Sequence, residues 1–443
     1  MSKKLLFATA PFDGHFNPLT GLAMHLKEQG FEVRWYTGSH YADKLRKLDI
    51  SHYATKRAKE LTQDTLDDVF PERAKLKSTV KKIKFDIKNV FIGRSPEYYE
   101  DVKEIKESYD FDLVVCDSGF AANYLIKNLL NIPVICVGVM PLMESSKDLA
   151  PYGLGIAPEE GAVAKIKQGL MRFMSKNMIF KEGTVEFNKI LKKYGLEPVN
   201  DVIFDVAVRY PSLFLQSGVL GFEYKRSDMS HKVKFVGPLL PYKKPTAENT
   251  FEHEEKLSKY DKVILVSQGT VDNKEPEKLM IPALEALKDS NSLVIVATGG
   301  ANTEEIRNKY GKDNIIVEDF VDFDYIMPKC DLYITNGGYG STLMALSHGV
   351  PLVAAGLNEG KNEITARIGY FKLGVNLGTD TPTSAQLGKA VRDVLSNKVY
   401  AQNVEKLSKE FQEYDAYQVC EKYINDVISA SQTKGRHEEV IVN

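Results

Sequence analysis

Residues 333–361 read YITNGGYGSTLMALSHGVPLVAAGLNEGK, and their pattern indicates the architecture of the whole chain. The stretch begins with a short β-branched and aromatic run and breaks at residues 336–338, which are Asn-Gly-Gly. It continues with apolar residues at helical spacing, namely Leu343, Leu346 and Val350. This order predicts a strand, a glycine turn and a helix, which is the repeating unit of an α/β protein.

The glycine turn is suited to an anionic ligand. Gly338 and Gly340 let the backbone approach a ligand closely because glycine has no side chain. Ser341 stands where a helix N-terminus would present free amides and a hydroxyl group to a phosphate. Similar turns also occur in α/β proteins as plain strand-to-helix corners, so the turn alone leaves both interpretations open.

Both halves of the chain repeat the strand, loop and helix order. In the first half, apolar runs predict strands at residues 5–10, 31–37, 112–117 and 133–139, with a loop at 11–18 before the first helix. In the second half, strands are predicted at residues 263–268, 293–297, 315–317, 352–355 and 374–377. The expected fold is therefore α/β, with two Rossmann-like doubly wound parallel-sheet domains facing each other across a cleft.

The predicted domain boundaries follow from a polar run between the two halves. Residues 242–262 contain few large apolar side chains and predict a linker. A first domain is then expected at residues 1–241 and a second domain at residues 263–398. Residues 399–443 predict helices that pack back on the first domain and end in a frayed tail from residue 436.

Composition excludes several classes of protein. The 443 residues are 43% hydrophobic and 27% charged, which is typical of a globular protein with two domains. The formal charge of -2 gives no reason to expect nucleic acid as a partner, and no apolar run approaches the ~20 residues of a membrane span. We expect a cytoplasmic monomer or weak dimer with buried, unpaired thiols at its four cysteines, Cys116, Cys136, Cys330 and Cys420.

A lysine-rich helix is predicted around residues 77–90. Apolar residues recur at helical spacing at Val80, Ile83, Ile87 and Val90, while lysines take many of the other positions. We favour a solvated helix face for this pattern over binding to a membrane surface or an acidic partner.

Met and Phe residues are frequent between residues 140 and 209, where the pattern is helical. Such soft side chains suit a pocket for irregular apolar molecules, and ordinary core packing is the alternative for each of them. The residues predicted to contact an apolar acceptor are Phe12, Phe91, Met140, Met143, Phe173 and Met174.

Polar side chains at the predicted strand ends converge on the cleft. Ligands of such sheets bind beyond the carboxyl ends of the strands, where we place His15, Asp117, Thr270 and Asn336. An imidazole at His15 could deprotonate a hydroxyl group, with Asp117 fixing its tautomer. For each residue alone, a helix-start contact with the backbone is the alternative.

Two pairs of aspartates resemble a divalent-metal motif. They are Asp110 with Asp112, and Asp322 with Asp324. Neither pair has the strand context that the motif requires, and aspartates at helix starts commonly act as caps. We therefore predict that no metal or other cofactor is needed.

Five segments together carry a resemblance to a known family. They read PFDGHFNPLTGLAMHL, DLVVCDSGFAA, FVGPLLP, VSQGT and TNGGYGSTLMALSHGVPLVAAG, in that order along the chain. The chain resembles GT-B fold glycosyltransferases of the UDP-glucuronosyl/UDP-glucosyl transferase family, which includes bacterial macrolide and plant flavonoid glycosyltransferases.

The resemblance implies an inverting, metal-independent transfer of a sugar from a nucleotide donor. It implies that His15 is the catalytic base, that Asp117 supports it, and that Phe320 stacks on the nucleotide base while the backbone of Val321 binds the base edge. The remaining residues that it assigns to the donor site are Gly14, Thr270, Asn336, Gly338, Gly340, Ser341, Glu359, Gly360 and Lys361.

Three positions depart from the family pattern. Asn336 replaces a histidine at the diphosphate, and Met344 replaces a glutamate that holds the ribose, which makes a dTDP-sugar donor admissible. Gly360 and Lys361 replace the acid and glutamine that hold the sugar hydroxyls, so glucose is only a default.

The expected function is therefore hexose transfer from a UDP-sugar to a hydroxyl of an apolar small molecule of polyphenol, macrolide or terpenoid type. The alternatives are transfer from a dTDP-sugar, transfer to a lipid, and binding of a nucleotide sugar without catalysis.

Overall fold

The computed structural model describes residues 2–62, 64–244, 251–269 and 272–442, and two parallel sheets form its framework. The first sheet has seven strands in the order β3-β2-β1-β4-β5-β6-β7. These strands are β1 Lys4–Ala8, β2 Glu32–Thr37, β3 Ser51–Ala54, β4 Leu113–Asp117, β5 Val134–Gly138, β6 Leu213–Gln216 and β7 Val233–Phe235.

The second sheet repeats this arrangement with six strands in the order β10-β9-β8-β11-β12-β13. They are β8 Val263–Ser267, β9 Leu293–Ala297, β10 Ile315–Glu318, β11 Leu332–Thr335, β12 Leu352–Ala354 and β13 Gly374–Asn376. Because the central strands β1, β4, β5, β8, β9 and β11 are packed on both faces, they are almost uniformly apolar. The predicted doubly wound α/β fold is confirmed.

Helices cover both faces of each sheet. Those of the first half are α1 Asp13–Glu28, α2 Ala42–Lys47, α3 Leu66–Val69, α4 Pro71–Ala74, α5 Thr79–Phe85, α6 Ser95–Ser108, α7 Asn123–Leu129, α8 Ala162–Met174, α9 Lys181–Lys193 and α10 Ile203–Arg209. Those of the second half are α11 Glu254–Leu257, α12 Met280–Leu287, α13 Thr303–Tyr310, α14 Phe323–Ile326, α15 Tyr339–Ser347, α16 Lys361–Tyr370, α17 Ser384–Ser396, α18 Lys398–Gln412 and α19 Ala416–Val442. Within the described residues, no helix combines the length and the apolar character needed to cross a membrane.

The first helix begins earlier than the sequence pattern indicates. Residues 11–18 were expected to form a loop because they contain two prolines and a glycine, yet α1 begins at Asp13 and includes Pro18. Phe16 and Leu19 are completely buried on its inner face, and this tertiary packing outweighs the local preference of the segment. His15 therefore lies in the first turn of a helix rather than in a loop.

The predicted linker is longer than the segment that actually connects the domains. Residues 251–262, which were assigned to it, contain α11, and Phe251, Leu257 and Tyr260 pack against the core of the second domain. Residues 245–250 of the predicted linker lie outside the described part of the chain.

The C-terminal helices divide between the domains instead of packing together on the first. Val404, Leu407 and Phe411 of α18 lie in the core of the second domain, in a cluster that also includes Val219 and Phe222 of the first domain. Cys420 and Ile424 of α19 are buried in the core of the first domain, so α19 crosses back to it. The prediction of a frayed tail from residue 436 was also wrong, because the backbone of α19 continues as a helix to residue 442.

Candidate active site

The two sheets place their polar strand ends at equivalent positions. In each sheet the strand order reverses beside the first strand, between β1 and β4 in the first and between β8 and β11 in the second. A reversal of this kind leaves a crevice at the carboxyl ends of the two strands, where ligands bind in open α/β sheets. His15 follows β1, Asp117 ends β4, Gly269 follows β8 and Asn336 follows β11.

A histidine and an aspartate meet in the crevice of the first domain. His15 Nδ1 lies 2.5 Å from Asp117 Oδ2, and the Asp117 side chain is completely buried. The carboxylate also accepts hydrogen bonds from the backbone N–H of Ala10 at 2.7 Å and of Gly119 at 2.6 Å. Since the Asp117 carboxylate is held by the segment that follows β1 and by the turn that follows β4, it holds the imidazole in one orientation with Nε2 on the opposite edge of the ring.

The charge of Asp117 governs the protonation of His15. Burial alone would lower the pKa of His15, but the carboxylate attracts the imidazolium and accepts its hydrogen bond, so the pKa lies above the ordinary value. The protonated pair therefore stabilises the fold below the ordinary histidine pKa, and that contribution is lost as the pH rises through the raised pKa. A base acts in its neutral form, so base catalysis by His15 would increase over the same rise in pH.

Gly119 leaves the room that this pair needs. A Cβ atom at position 119 would lie 2.6 Å from His15 Cε1 and 2.9 Å from Asp117 Oδ2. No larger residue fits without moving the imidazole, which explains the glycine directly after Asp117-Ser118.

One of the predicted acceptor residues, Phe12, lies beside the imidazole, and a second, Phe91, lies beside Phe12. The ring of Phe12 is centred 6.0 Å from that of His15 and 6.4 Å from that of Phe91. Phe12 and Phe91 pack against a small cluster of buried residues that includes Leu61 and Val90. This wall gives the imidazole an apolar neighbour on one side.

The other predicted acceptor residues are scattered. Met140 is half-buried and approaches Gly360 of the second domain, whereas Met143 is buried in the core of the first domain. Phe173 and Met174 lie on α8 with their side chains exposed to solvent. The acceptor contacts of these four residues stay predictions, and Phe173 and Met174 form part of a separate surface described below.

The glycine turn faces open space at the N-terminus of α15. Gly337 has φ 84°, a left-handed conformation that glycine adopts easily, and a Cβ there would lie 2.8 Å from Thr365 Cγ2. At Gly340 a Cβ would meet nothing within 4 Å. The first bond of the helix runs from Thr342 N–H to Gly338 O at 3.0 Å, so the preceding amides and the Ser341 hydroxyl border the crevice. Met344 is half-buried one turn further along α15.

Asn336 lies beside a pair of oppositely charged side chains, Asp272 and Lys361. Its amide nitrogen donates hydrogen bonds to Gln268 O at 2.5 Å and to Asp272 Oδ2 at 2.9 Å. Lys361 Nζ lies 2.5 Å from the same Asp272 oxygen and 2.9 Å from Glu359 Oε2. The sequence analysis placed Asn336, Glu359 and Lys361 at the donor site, but it missed Asp272, which has no motif to mark it.

Asp272 and Lys361 each stabilise the charged form of the other. Burial raises the pKa of Asp272, but the Lys361 ammonium and the Asn336 amide outweigh this effect and hold it below the ordinary range. Burial lowers the pKa of Lys361, and the carboxylates of Glu359 and Asp272 raise it further than burial lowers it. Lys361 is therefore a fixed positive charge at the crevice of the second domain.

An exposed aromatic ring stands at the edge of the same crevice. Phe320 follows β10 and is 74% exposed, and its ring lies over the backbone of Gly300, where a Cβ would be 3.5 Å from Phe320 Cζ. Val321 is half-buried beside it against the core of the second domain. An exposed ring at a strand end is a natural stacking surface for a planar base. Thr270, the remaining predicted donor residue, lies outside the described residues.

Gly360 forms a close contact between the two domains. Glu359 and Gly360 both have positive φ, at 56° and 79°, so the backbone turns sharply before α16. A Cβ at Gly360 would lie 2.5 Å from Met140 Cε. The acidic residue that the family resemblance implies at this position would thus meet the first domain, and Gly360 suits the turn better. Gly14, on the opposite domain, is exposed in the first turn of α1 and has nothing within 4 Å of its Cβ position.

A buried ion network holds the domains in this arrangement. Arg367 of α16 is 1% exposed and binds Glu223 of the first domain at 2.8 Å and Glu363 of its own helix at 3.0 Å. Glu363 also accepts hydrogen bonds from the backbone N–H groups of Gly153 and Gly155 at 2.8 and 2.9 Å. The sequence analysis missed this network because Glu223 lies far from Glu363 and Arg367 in the chain.

The aspartate pairs have structural contacts. Asp112 accepts a hydrogen bond from Lys4 N–H at 2.7 Å, and Asp322 caps α14 by accepting one from Tyr325 N–H at 3.3 Å. Across the described part of the chain, no group of three or more His, Cys, Asp or Glu residues is arranged to hold a metal ion. The prediction that catalysis needs no metal stays a prediction.

The fold and the facing crevices are those of a GT-B protein. The glycotransferase of kitacinnamycin has a crystal structure that matches 97% of this chain and 100% of its own with a TM-score of 0.73 at 15% identity. The calicheamicin glycosyltransferase matches 97% of this chain and 98% of its own with a TM-score of 0.72 at 19% identity. At these identities the likeness establishes the fold alone.

Sequence similarity establishes the family. Residues 283–417 match the family described as "Erythromycin biosynthesis protein CIII-like, C-terminal domain". The 4'-demethylrebeccamycin synthase of Lentzea aerocolonigenes is 30% identical over 94% of this chain and 97% of its own length, and UDP-glycosyltransferase 2 of Phaeomoniella chlamydospora is 28% identical over 96% of both. The chain belongs to the UDP-glucuronosyl/UDP-glucosyl transferase family of GT-B glycosyltransferases, as its five motifs predicted.

Proposed function

We propose that this glycosyltransferase moves a hexose from a UDP-sugar to a hydroxyl group of an apolar small molecule, with inversion at the sugar carbon and without a metal. The single observation that carries the proposal is the fixed pair of His15 and Asp117 in the crevice that faces the glycine turn. Relatives named as UDP-glucosyltransferases, such as that of Beauveria bassiana at 26% identity, support the choice of donor.

The chemistry follows from the orientation of the imidazole. Asp117 accepts the Nδ1–H hydrogen bond, so Nε2 is free of a proton and can take one from the acceptor hydroxyl. The oxygen then forms a bond to the anomeric carbon while the bond from that carbon to the diphosphate oxygen breaks. A single displacement of this kind inverts the anomeric configuration, and the diphosphate leaves with the electron pair.

The second domain would stabilise the leaving group. The amides at the start of α15 and the Lys361 ammonium provide positive charge where the diphosphate would lie. Asn336 contributes no charge, and its amide hydrogens are engaged by Gln268 and Asp272, so the cations beside Asp272 are Lys361 at 2.5 Å and Lys278 at 3.5 Å.

A donor panel tests the proposal. Purified protein would be incubated with a simple phenol and UDP-glucose, UDP-N-acetylglucosamine, UDP-glucuronate or dTDP-glucose, and products read by mass and by the anomeric coupling constant. Formation of a β-linked product from an α-linked UDP-hexose is the expected result. An α-linked product would exclude the single displacement, and turnover only with dTDP-glucose would replace the donor, an outcome for which Met344 is the structural reason.

A further inference from the structure

Helix α8 presents its apolar side to solvent. Its buried residues, Ala164 and Gln168, lie on one side of the helix. The opposite side carries side chains spaced three and four residues apart, which are 46% to 81% exposed there and in the turn that follows. These exposed residues are Val163, Ile166, Leu170, Phe173, Met174 and Met178. An apolar face turned outward is unusual, because amphipathic helices normally bury that face.

Two neighbouring helices add to the exposed apolar area. Val80 and Ile83 of α5 and Val185 of α9 are 40% to 48% exposed. Helices α5 and α9 lie side by side, since Lys84 Nζ is 3.5 Å from Glu182 Oε1. Helix α8 leads directly into α9 through the turn at Ser175–Ile179. We call α5, α8 and α9, with these exposed side chains, the α8 surface.

The α8 surface is strongly basic in a chain that is nearly neutral. Residues 75–88 contain six lysines and one acidic residue, and residues 161–193 contain eight basic and two acidic residues. The whole chain has a formal charge of -2, so positive charge is concentrated on these helices. Lys165, Lys176 and Lys181, which flank the apolar side chains, are themselves exposed.

This combination of charges and apolar side chains favours one kind of partner. A second copy of the chain, docked through the same face, would bring two basic surfaces together and would be repelled. The cores of protein interfaces are depleted in lysine, whereas helices that lie on membranes combine lysines with exposed Leu, Ile and Phe side chains. We propose that the α8 surface docks on an anionic membrane, with the apolar side chains entering the headgroup region and the lysines binding the lipid charges.

The docked surface adjoins the entrance between the domains. The loop between β5 and α8 contacts the second domain, where Asn362 Nδ2 donates a hydrogen bond to Gly153 O at 2.8 Å. The same loop is joined to α8 by Arg172, whose Nη1 donates a hydrogen bond to Leu149 O at 2.6 Å. Docking would therefore hold the mouth of the crevice near the lipid, where apolar molecules partition. This inference goes beyond the proposed transfer reaction and does not depend on it.

Sedimentation with vesicles tests the docking. The full chain would be mixed with phosphatidylcholine vesicles, with and without about one third phosphatidylglycerol, in about 0.1 M and about 1 M salt. We expect binding to the anionic vesicles at low salt and at least a tenfold weaker partition at high salt or without the anionic lipid. Equal binding to both kinds of vesicle, or no binding to either, would overturn the proposal.

Matched variants locate the contact. The double variants Ile166→Gln with Leu170→Gln, and Lys165→Glu with Lys176→Glu, should each reduce the partition by about tenfold or more, since one lysine near an anionic surface contributes about fivefold. The controls, Leu220→Gln and Lys389→Glu with Lys409→Glu, also change exposed residues and should bind like the unaltered chain. Equal unfolding midpoints would show that all variants fold. Unchanged binding by both α8 double variants would contradict the proposal, as would a lipid-free dimer that Ile166→Gln with Leu170→Gln dissociates.

Discussion

The two crevices have the same topology but are built from different contacts. In the first, His15 depends on one buried carboxylate that the backbone N–H groups of Ala10 and Gly119 hold in place. In the second, charged side chains hold one another, with Asp272 between Asn336 and Lys361. A rigid carboxylate suits a group that must transfer a proton in one direction, whereas a network of paired charges suits a site that must bind an anion.

The largest expected effect concerns the network that keeps the two crevices facing each other. Replacing Arg367 with Met leaves the buried Glu363 without its counter-charge and Glu223 with only Arg226, 3.9 Å away, which should lower the free energy of unfolding by about 3–5 kcal/mol. Urea denaturation measures this loss. Arg46→Met, at a pair that is 77% and 79% exposed, is the matched control and should change stability by about 0.5 kcal/mol or less. Equal losses in the two variants would show that the interdomain network has no special role.

The next effect tests the first crevice. Asp117→Asn should reduce kcat/KM by about 10²-fold or more, since the imidazole loses its orientation. The acid limb of the pH profile should also move to lower pH, because the carboxylate is what raises the pKa of His15 above its ordinary value. A pH series of kcat/KM with a saturating acceptor measures both changes. If the activity falls while the limb stays in place, Asp117 does not control the protonation of the base.

A smaller effect tests the second crevice. Lys361→Ala should raise the KM for the donor by about tenfold, because it removes a cation and leaves Asp272 close to the diphosphate. The double variant Lys361→Ala with Asp272→Ala should recover part of this loss, since the repelling carboxylate is gone. Initial rates at varied donor concentration give the donor KM of the unaltered protein, the two single variants and the double variant, which together form a double-mutant cycle. Additive losses in the double variant would mean that the two residues act independently.

The smallest effect concerns the turn where the domains touch. Gly360→Ala introduces a side chain at φ 79° and next to Met140, which should cost about 1 kcal/mol of stability and raise the donor KM several-fold. Gly169→Ala, inside α8, is the matched control and should be neutral or slightly stabilising. Thermal unfolding and donor kinetics distinguish the two variants. A Gly360→Ala protein as stable as the control would show that the turn is not constrained.

The sequence predicts the second sheet and strands β1, β2, β4 and β5 of the first sheet because their signal is local, whereas it missed the short strands β3, β6 and β7. Unbroken apolar runs such as that of β4 mark strands buried on both faces, and the glycine turn after β11 marks a strand-to-helix corner. His15 and Asp117 were predicted as partners because both follow strands of one sheet, and the strand order places β1 beside β4. These inferences need only periodicity and the geometry of parallel sheets.

What the sequence does not predict depends on contacts between distant segments. Asp272 becomes part of the site only because its 3₁₀ turn lies beside the start of α16, and Arg367 only because Glu223 approaches from the other domain. The predicted start of α1 was wrong because the burial of Phe16 outweighs the preference of Gly14 and Pro18 for a loop. Such contacts leave no pattern in a single sequence.

The division of roles between the two crevices is tested most directly by His15→Ala. Its transfer rate in a single turnover and its affinity for UDP by calorimetry would be measured on the same preparation. We predict that transfer falls by about 10²-fold or more, as expected for loss of a positioned base, while the affinity for UDP stays unchanged. Full transfer activity in this variant would contradict the assignment of His15 as the base, and a matching loss of UDP affinity would contradict the separation of chemistry from donor binding.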